Sequence, residues 1–392
     1  MHRPKITIIS SLVYDTTFPL VKNLSNFGYS IDLFCFISKT FLTMPVFDLS
    51  ATLPKSSHGY INSKSAFKYL PKHIFKYFDE SHVKIHLVVL SGGKNFFKDF
   101  IFLRNFSKKF KNVKKLHVIG ENVYFPILMS GLYDKIIAQT FHENLTRVKK
   151  NKSPLKNLLY NYYYKKIISS NAKIILHSKN VYNLFIEDFP KITPSRLKII
   201  PFGMSDIYKF IDADNSILDG KKNFFLFFGY INYYKGVDIL LKSINLLGSE
   251  NLNFIIAGRD SIGYKIDDNL SNILFINKFL TESEIISLVK NSYAIVMPYR
   301  SASQSGIPKT AFLFEKPIIC SNIEGLDEVL IDKHNCIKYE SLNHKELSEK
   351  IKLLNTDLEL YDMLKKNIIK NNKIDKYNWK NYIVKYQSIY NS

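Results

Sequence analysis

The chain has 392 residues, 46% of them hydrophobic, with only 15 Gly and 13 Pro, which excludes a low-complexity chain and leaves room for two packed cores. Fifty-five Lys and Arg against 34 Asp and Glu give a formal charge of +21, a balance that suits nucleic acid, an anionic leaflet or a phosphorylated substrate, and equally a plain lysine-rich solvated surface. Cys35, Cys320 and Cys336 form no close pair, no zinc spacing and no disulfide framework, and no run of about 18 apolar residues exists to span a bilayer.

Short apolar runs alternate with helical stretches, the pattern of a parallel α/β architecture. Ile6–Ser10 reads as a strand, Pro19–Phe27 as a helix stopped by Gly28, and Ile31–Phe36 as a strand. His86–Leu90, Lys115–Ile119 and Lys135–Gln139 are further strands. Leu155–Ser170 is a helix, Lys173–His177 a strand, and a helix from Lys179 precedes a last strand at Leu197–Pro201. Gly203–Asn223 is polar, acidic in patches and without periodicity, and reads as a linker. A second series follows: strand Phe224–Phe228, helix Val237–Leu247, strands Asn253–Ala257 and Ile273–Ile276, helix Glu282–Lys290, strand Ala294–Met297, helix Lys309–Phe314, strand Pro317–Cys320. Apolar residues recur at helical spacing through Asn378–Tyr390, which should therefore pack. Two doubly wound Rossmann-like domains are expected, 1–203 completed by 376–392, and 204–375. In such sheets ligands sit beyond the carboxyl ends of the strands, near helix N-termini.

Two segments carry most of the chemistry. In FFLFFGYINYYKGVDILLKSINLL, residues 224–247, a buried strand ends at Gly229 and a loop brings Lys235-Gly236 to an amphipathic helix. A lysine there can meet a phosphate as a point charge, although an ordinary surface lysine has the same appearance. In MPYRSASQSGIPKTAFLFEKPIICS, residues 297–321, a strand runs through a Ser- and Gly-rich turn into a helix opened by Pro308. Small residues, neutral donors and a helix start make an anion cradle, and would serve a plain N-cap as well.

In order and spacing these elements resemble the C-terminal half of retaining GT-B glycosyltransferases, family 4 in particular. The matching elements are Gly229-Tyr230, Lys235-Gly236-Val237-Asp238-Ile239-Leu240-Leu241, Ala257-Gly258, Lys316-Pro317-Ile318-Ile319 and Glu324-Gly325-Leu326-Asp327-Glu328-Val329. In the first half Phe141-His142-Glu143-Asn144 is similar to the family's H-[DE] loop, Ile174–Ser178 to its strand before a helix, and Ile200-Pro201-Phe202-Gly203 to its I-P-x-G. The tail, with Trp379 and Tyr386, resembles the last helix that crosses back to the first domain. The resemblance spans roughly residues 135–390; the first 115 share only the βαβ pattern.

The resemblance implies that the second domain holds a UDP- or GDP-sugar and the first an acceptor, with no metal and no other cofactor. Lys235 would neutralise the departing diphosphate, the backbone N–H groups of Ser305 and Gly306 would take remaining phosphate charge, and His142 would serve the transferred sugar, the new bond keeping the donor's anomeric configuration. Gly229, Tyr230, Gly258, Arg259, Arg300, Gln304 and Thr310 complete the implied donor site; Ser11, Tyr14 and Asp15, after the first strand, are the implied acceptor contacts. Two departures stand out. Tyr230 replaces a frequent arginine, a loss that Arg259 or Arg300 could offset. The family's paired glutamates fall at Ala302 and Thr310, with the Gln304-Ser305-Gly306 loop of a subset of similar enzymes between them. That absence keeps open a non-catalytic scaffold subunit of a polysaccharide assembly complex, and a sugar-nucleotide epimerase is a further alternative.

Other signals are weaker. Asp212-Ala213-Asp214 imitates a metal-binding DxD but has no strand before it, and His177 on an apolar strand reads as a core histidine. FKYLPKHIFKYF, FFKDFIFLRNFSKKFKNVKK and LKNLLYNYYYKKII interleave aromatics with cations in the first domain, which suits the headgroup level of an anionic membrane. No nucleic-acid-binding motif accompanies them. The expectation is a cytoplasmic, peripheral membrane protein acting on a lipid-linked saccharide in surface polysaccharide assembly.

Overall fold

The structure is a computed structural model; it describes residues 3–391 except 45, 144, 150–152, 249–251, 265–271, 303–304, 328 and 375–377. The chain divides into two compact units, Met1–Gly203 with Trp379–Ser392, and Met204–Asn378.

The first unit is built on eight strands: β1 Lys5–Ser11, β2 Ser30–Ser38, β3 Gly59–Ile61, β4 Val83–Leu90, β5 Leu116–Ile119, β6 Ile136–Thr140, β7 Lys173–Leu176 and β8 Leu197–Ile199, in the order β3-β4-β2-β1-β5-β6-β7-β8. All neighbours are parallel except β3, which runs antiparallel along the edge of β4. Continuous apolar runs such as Leu87–Leu90 are buried on both faces, as parallel strands covered by helices require. The first helix, Tyr14–Asn26, starts earlier than Pro19 suggests and carries that proline internally. Buried Tyr14 and Phe18 anchor the added turn on Phe47.

The closing helix Trp379–Asn391 belongs to this unit and buries Trp379, Tyr382, Ile383, Tyr386, Ile389 and Tyr390. Gly203 is needed beneath it, since a Cβ there would lie 2.7 Å from the Trp379 indole. The Tyr390 hydroxyl bonds His117 Nδ1 at 2.7 Å while Thr140 Oγ1 meets Nε2 at 2.8 Å. Burial pushes His117 down to about 3, so the ring is neutral.

The second unit carries β9 Phe224–Phe228, β10 Phe254–Ala257, β11 Ile273–Ile276, β12 Ser292–Met297, β13 Ile318–Ser321 and β14 Cys336–Tyr339, all parallel, in the order β11-β10-β9-β12-β13-β14. The order reverses between β9 and β12, so the loops after those two strands flank a topological switch point, the usual ligand position in an open α/β sheet. The expected linker is corrected: Asp206–Phe210 and Asn215–Leu218 are short 3₁₀ turns of this unit, with Ile207 and Leu218 buried. Its polarity serves local turns, as Asp214 accepts from the Ser216 backbone and hydroxyl at 3.0 and 2.7 Å. Cys320 and Cys336, distant in sequence, become thiol neighbours on β13 and β14; both are buried and free.

Candidate functional site

The site in the second unit is assembled by three glycines. Gly229 ends β9 with φ +115 and donates to the Ala257 carbonyl at 3.0 Å. Gly258 ends β10, and a Cβ on it would lie 1.8 Å from the Gly229 carbonyl oxygen. Gly236, in the left-handed region at φ +67, would set a Cβ 1.9 Å from the Pro298 oxygen. Only glycine lets these backbones touch. The contact at Gly236 presses the loop after β9 against the loop after β12.

That junction is then locked by charge. Arg300 forks onto Asp238 at 2.8 and 2.6 Å, donates to the Tyr233 carbonyl at 2.8 Å, and lies over the Tyr233 ring. Its backbone N–H donates to the Tyr234 carbonyl at 2.8 Å. The fork, ahead of the partial burial that opposes it, holds the Asp238 carboxyl below its usual range. Arg300 is therefore engaged in holding the loop, and Asp238 gains a structural partner that the sequence motif leaves unnamed.

Lys235 sits differently. Its ammonium lies 3.8 Å from the centre of the Tyr299 ring and 5.3 Å from that of Tyr234. Among the described residues no carboxylate pairs with it, and burial brings it down from 10.5 to about 8. Tyr299 is fully buried and its carbonyl accepts from Ser321 Oγ at 2.5 Å. Burial raises the Tyr299 phenol, and Ser305 beside its hydroxyl draws it back. A Cβ at Gly229 would stand 3.7 Å from Ile307 Cδ1. Gly229, Lys235 and the start of the helix Ile307–Leu313 thus converge through Tyr299 and Ile307.

The remaining residues expected at the donor site lie on or beside these loops. Gly306 is exposed and Ser305 half-buried, with Ser305 Oγ 3.4 Å from the Ile307 N–H. Thr310 turns its hydroxyl to the Gly306 carbonyl. Arg259 is exposed; its carbonyl accepts from Ile231, which ties the loop after β10 to the loop after β9. Tyr230 is exposed and stacks on exposed Phe279, ring centres 6.3 Å apart. Gln304 and Glu328 lie outside the described residues.

In the first unit His142 follows β6 and packs its ring 4.7 Å from that of His177. Burial, ahead of the His177 charge, holds His142 well below the usual histidine value, so it is neutral. Among the described residues its Nε2 has no hydrogen-bond partner. His177 donates Nδ1–H to the Ile200 carbonyl at 2.8 Å, as a core histidine does. Of the three expected acceptor contacts, Ser11 is buried and accepts from Asn122 Nδ2 at 2.8 Å, and Asp15 is half-buried in the first helical turn. Tyr14 is corrected to a core residue: it is fully buried, with its hydroxyl donating to Phe36 O at 2.8 Å.

The basic aromatic runs divide between core and surface. Phe106, Phe110, Tyr163 and Tyr164 are core, whereas Phe97, Ile101, Leu155 and Leu158 stand more than half exposed. The helices Phe96–Phe106 and Pro154–Ser169 flank a groove of about 500 Å³ lined by Phe100, Arg104, Ile127, Leu158, Leu159 and Tyr162. Lys98, Arg104, Lys156, Lys165 and Lys166 are exposed on these helices. Their one acid, Asp99, is buried, its carboxylate accepting from Ser91 and Gly92 N–H and from the Tyr124 hydroxyl, with His58 Nε2 beside it at 3.0 Å. No described helix is long and apolar enough to cross a membrane.

Residues 209–371 match the family described as Glycosyl transferases group 1. An uncharacterized glycosyltransferase of Methanocaldococcus jannaschii is 28% identical over 242 residues, which cover 60% of this chain and 64% of that relative. Among solved structures, a glycosyltransferase from Rickettsia africae aligns with a TM-score of 0.64 at 15% identity, covering 100% of this chain and 98% of its own. HepE of Anabaena, in complex with UDP and glucose, aligns with a TM-score of 0.62 at 12% identity over 98% of this chain and 99% of its own. At such identities the structural likeness speaks for the fold. Over residues 209–371 the chain is thus similar to the glycosyl transferases group 1 family, and its two Rossmann-like units have the GT-B fold.

Proposed function

We propose that this protein is a retaining glycosyltransferase that takes a sugar from a nucleoside diphosphate donor held by its second unit. The carrying observation is Lys235: a half-buried ammonium on an aromatic ring, unpaired with any described carboxylate, beside the switch point of the sheet. A buried cation without a counter-ion opposes folding, and an anionic ligand reverses that penalty. In this reading Lys235 and the Ser305 and Gly306 backbone receive the diphosphate as its charge develops, and Gly229 and Gly258 keep the floor of the site free of side chains. Tyr230, Arg259, Gln304 and Thr310 contact the donor; Arg300 shapes the loop. His142 serves the transferred sugar, Ser11 and Asp15 the acceptor, and no metal is required. Among the neighbours, HepE is described with UDP and glucose, which favours UDP-glucose as the first donor to try.

The acceptor proposed is a lipid-linked saccharide at the cytoplasmic face of an anionic membrane, in surface polysaccharide assembly. The exposed apolar side chains between five cations, on helices whose single acid is buried, support that reading.

The test is a thermal-shift screen against UDP- and GDP-sugars, followed by a donor hydrolysis assay. The right donor raises the melting temperature by mass action, and wild type slowly releases nucleoside diphosphate while Lys235→Ala does not. Donor binding without release would favour the scaffold alternative, and undiminished release by Lys235→Ala would overturn the role of the lysine.

A further inference from the structure

His142 is held by a residue that no motif singles out. Glu121 follows β5 through Gly120, whose φ of +87 and the 2.6 Å approach of an added Cβ to the Ser11 oxygen admit no side chain. That turn aims the Glu121 carboxylate at the loop after β6. One oxygen, Oε1, accepts the backbone N–H of His142 at 2.6 Å and that of Glu143 at 3.0 Å. From the other side the Tyr164 hydroxyl donates to the Glu143 carbonyl at 3.1 Å. The loop is further pinned by Phe141, which is buried, stacks on Tyr164 at 4.3 Å and donates its N–H to Ile175 O. The backbone of residues 142–143 is thus held by Glu121 through its two N–H groups and by Tyr164 through the Glu143 carbonyl, while the His142 ring lies beside His177.

We propose that Glu121 is a positioning residue, whose carboxylate fixes the 142–143 peptide and thereby the direction of the His142 ring. The inference rests on the reading that gives His142 a part in sugar transfer. A carboxylate accepting two N–H groups is stronger and stiffer than a neutral acceptor. Among the described residues no cation pairs with Glu121. The groups that face it are Glu143 and His142 on the gripped loop and Tyr160, Tyr163 and Tyr164 on the helix Pro154–Ser169. Burial, with Glu143 adding to it and the two N–H groups opposing, lifts Glu121 from 4.5 to about 7. The grip therefore tightens as pH rises through neutrality. His142, held neutral, contributes no titration of its own there.

Glu121→Gln and Glu121→Ala would be compared with wild type in release of UDP from UDP-glucose, or of GDP from GDP-mannose if that donor gives the larger thermal shift. Because small displacements of a reacting group lose roughly tenfold to a hundredfold in rate, kcat should fall by about tenfold in Glu121→Gln with donor KM within about twofold. The acid limb of the wild-type kcat profile near pH 7 should vanish in that variant. Amide proton shifts of His142 and Glu143 should titrate with the same midpoint in wild type and stay flat in Glu121→Gln. Amides that do not titrate in wild type, or a Gln variant with unchanged kcat and pH profile, would overturn the proposal even if the Ala variant fails to fold. Full turnover in His142→Ala would instead refute the role of His142, and the amide titration would still report on the grip.

Discussion

Lys235 offers a test by proton counting. Its value of about 8 in the free protein, against 10.5, comes from burial beside Tyr299. A shift of that size corresponds to up to about 3 kcal/mol of opposition to folding. The sign follows directly: the folded value lies below the unfolded one, so the penalty is complete below pH 8 and fades as pH rises towards 10.5. A diphosphate at the ammonium should restore the ordinary value and draw a proton from solvent. With the bound group back near 10.5, uptake is close to zero at pH 6.5, about half a proton at pH 8 and about 0.9 at pH 9. Calorimetric titration of UDP and of GDP in buffers of different ionisation enthalpy measures this, with Lys235→Met subtracting protons of the nucleotide itself. The same variant should raise the melting point of the free protein at pH 7. It removes the buried charge, offset only by the ring contact, which is worth about 0.5–2 kcal/mol. Uptake that is flat from about pH 6.5 to 9, or identical in Lys235→Met, would refute the argument.

Three further outcomes follow from the same geometry. Asp238→Asn removes the charge that Arg300 grips; donor KM should rise by about 1–3 kcal/mol equivalent, read from KM at constant protein fold. Gly258→Ala forces a methyl onto the Gly229 carbonyl at 1.8 Å, so the urea midpoint should drop by more than about 4 kcal/mol equivalent or the protein become insoluble. Replacing Lys156, Lys165 and Lys166 by Gln should weaken sedimentation with phosphatidylglycerol vesicles by about a hundredfold at low salt, at about 1 kcal/mol per cation. Neutral phosphatidylcholine vesicles should bind wild type and variant alike.

The two sheets were legible because parallel strands buried on both faces write themselves as unbroken apolar runs: FFLFF over 224–228 is wholly buried, as such a run must be. What escaped had no such run. β3 is three residues on an edge, and β14 follows a turn in which Asn335 accepts from and donates to its own neighbours. The stretch after Gly203 looked like a linker because its side chains serve local turns, while its few buried residues, Ile207 and Leu218, are too sparse to form a period.

For the candidate site the sequence pointed to the loops after β9 and β12 but not to how their charges are shared. Lys235 and Arg300 were both cations in loops after strands, Lys235 expected at the departing diphosphate and Arg300, like Arg259, as an offset for the arginine absent at Tyr230. The structure separates them through residues at longer range. Asp238, in the first turn of the next helix, satisfies Arg300, whereas Tyr299 offers Lys235 only a ring face. A guanidinium committed to a carboxylate fork loses little by staying there, so it shapes the loop. An ammonium on an aromatic surface has every reason to accept an anion. The same logic exposes Glu121. A glutamate after a glycine reads as surface, and only the pairing of β5 with β6 brings its oxygen under the 142–143 amides. Motifs fix residues that meet a ligand along a short stretch of chain. The residues that aim them are found across strands, where spacing along the sequence carries no trace of the contact.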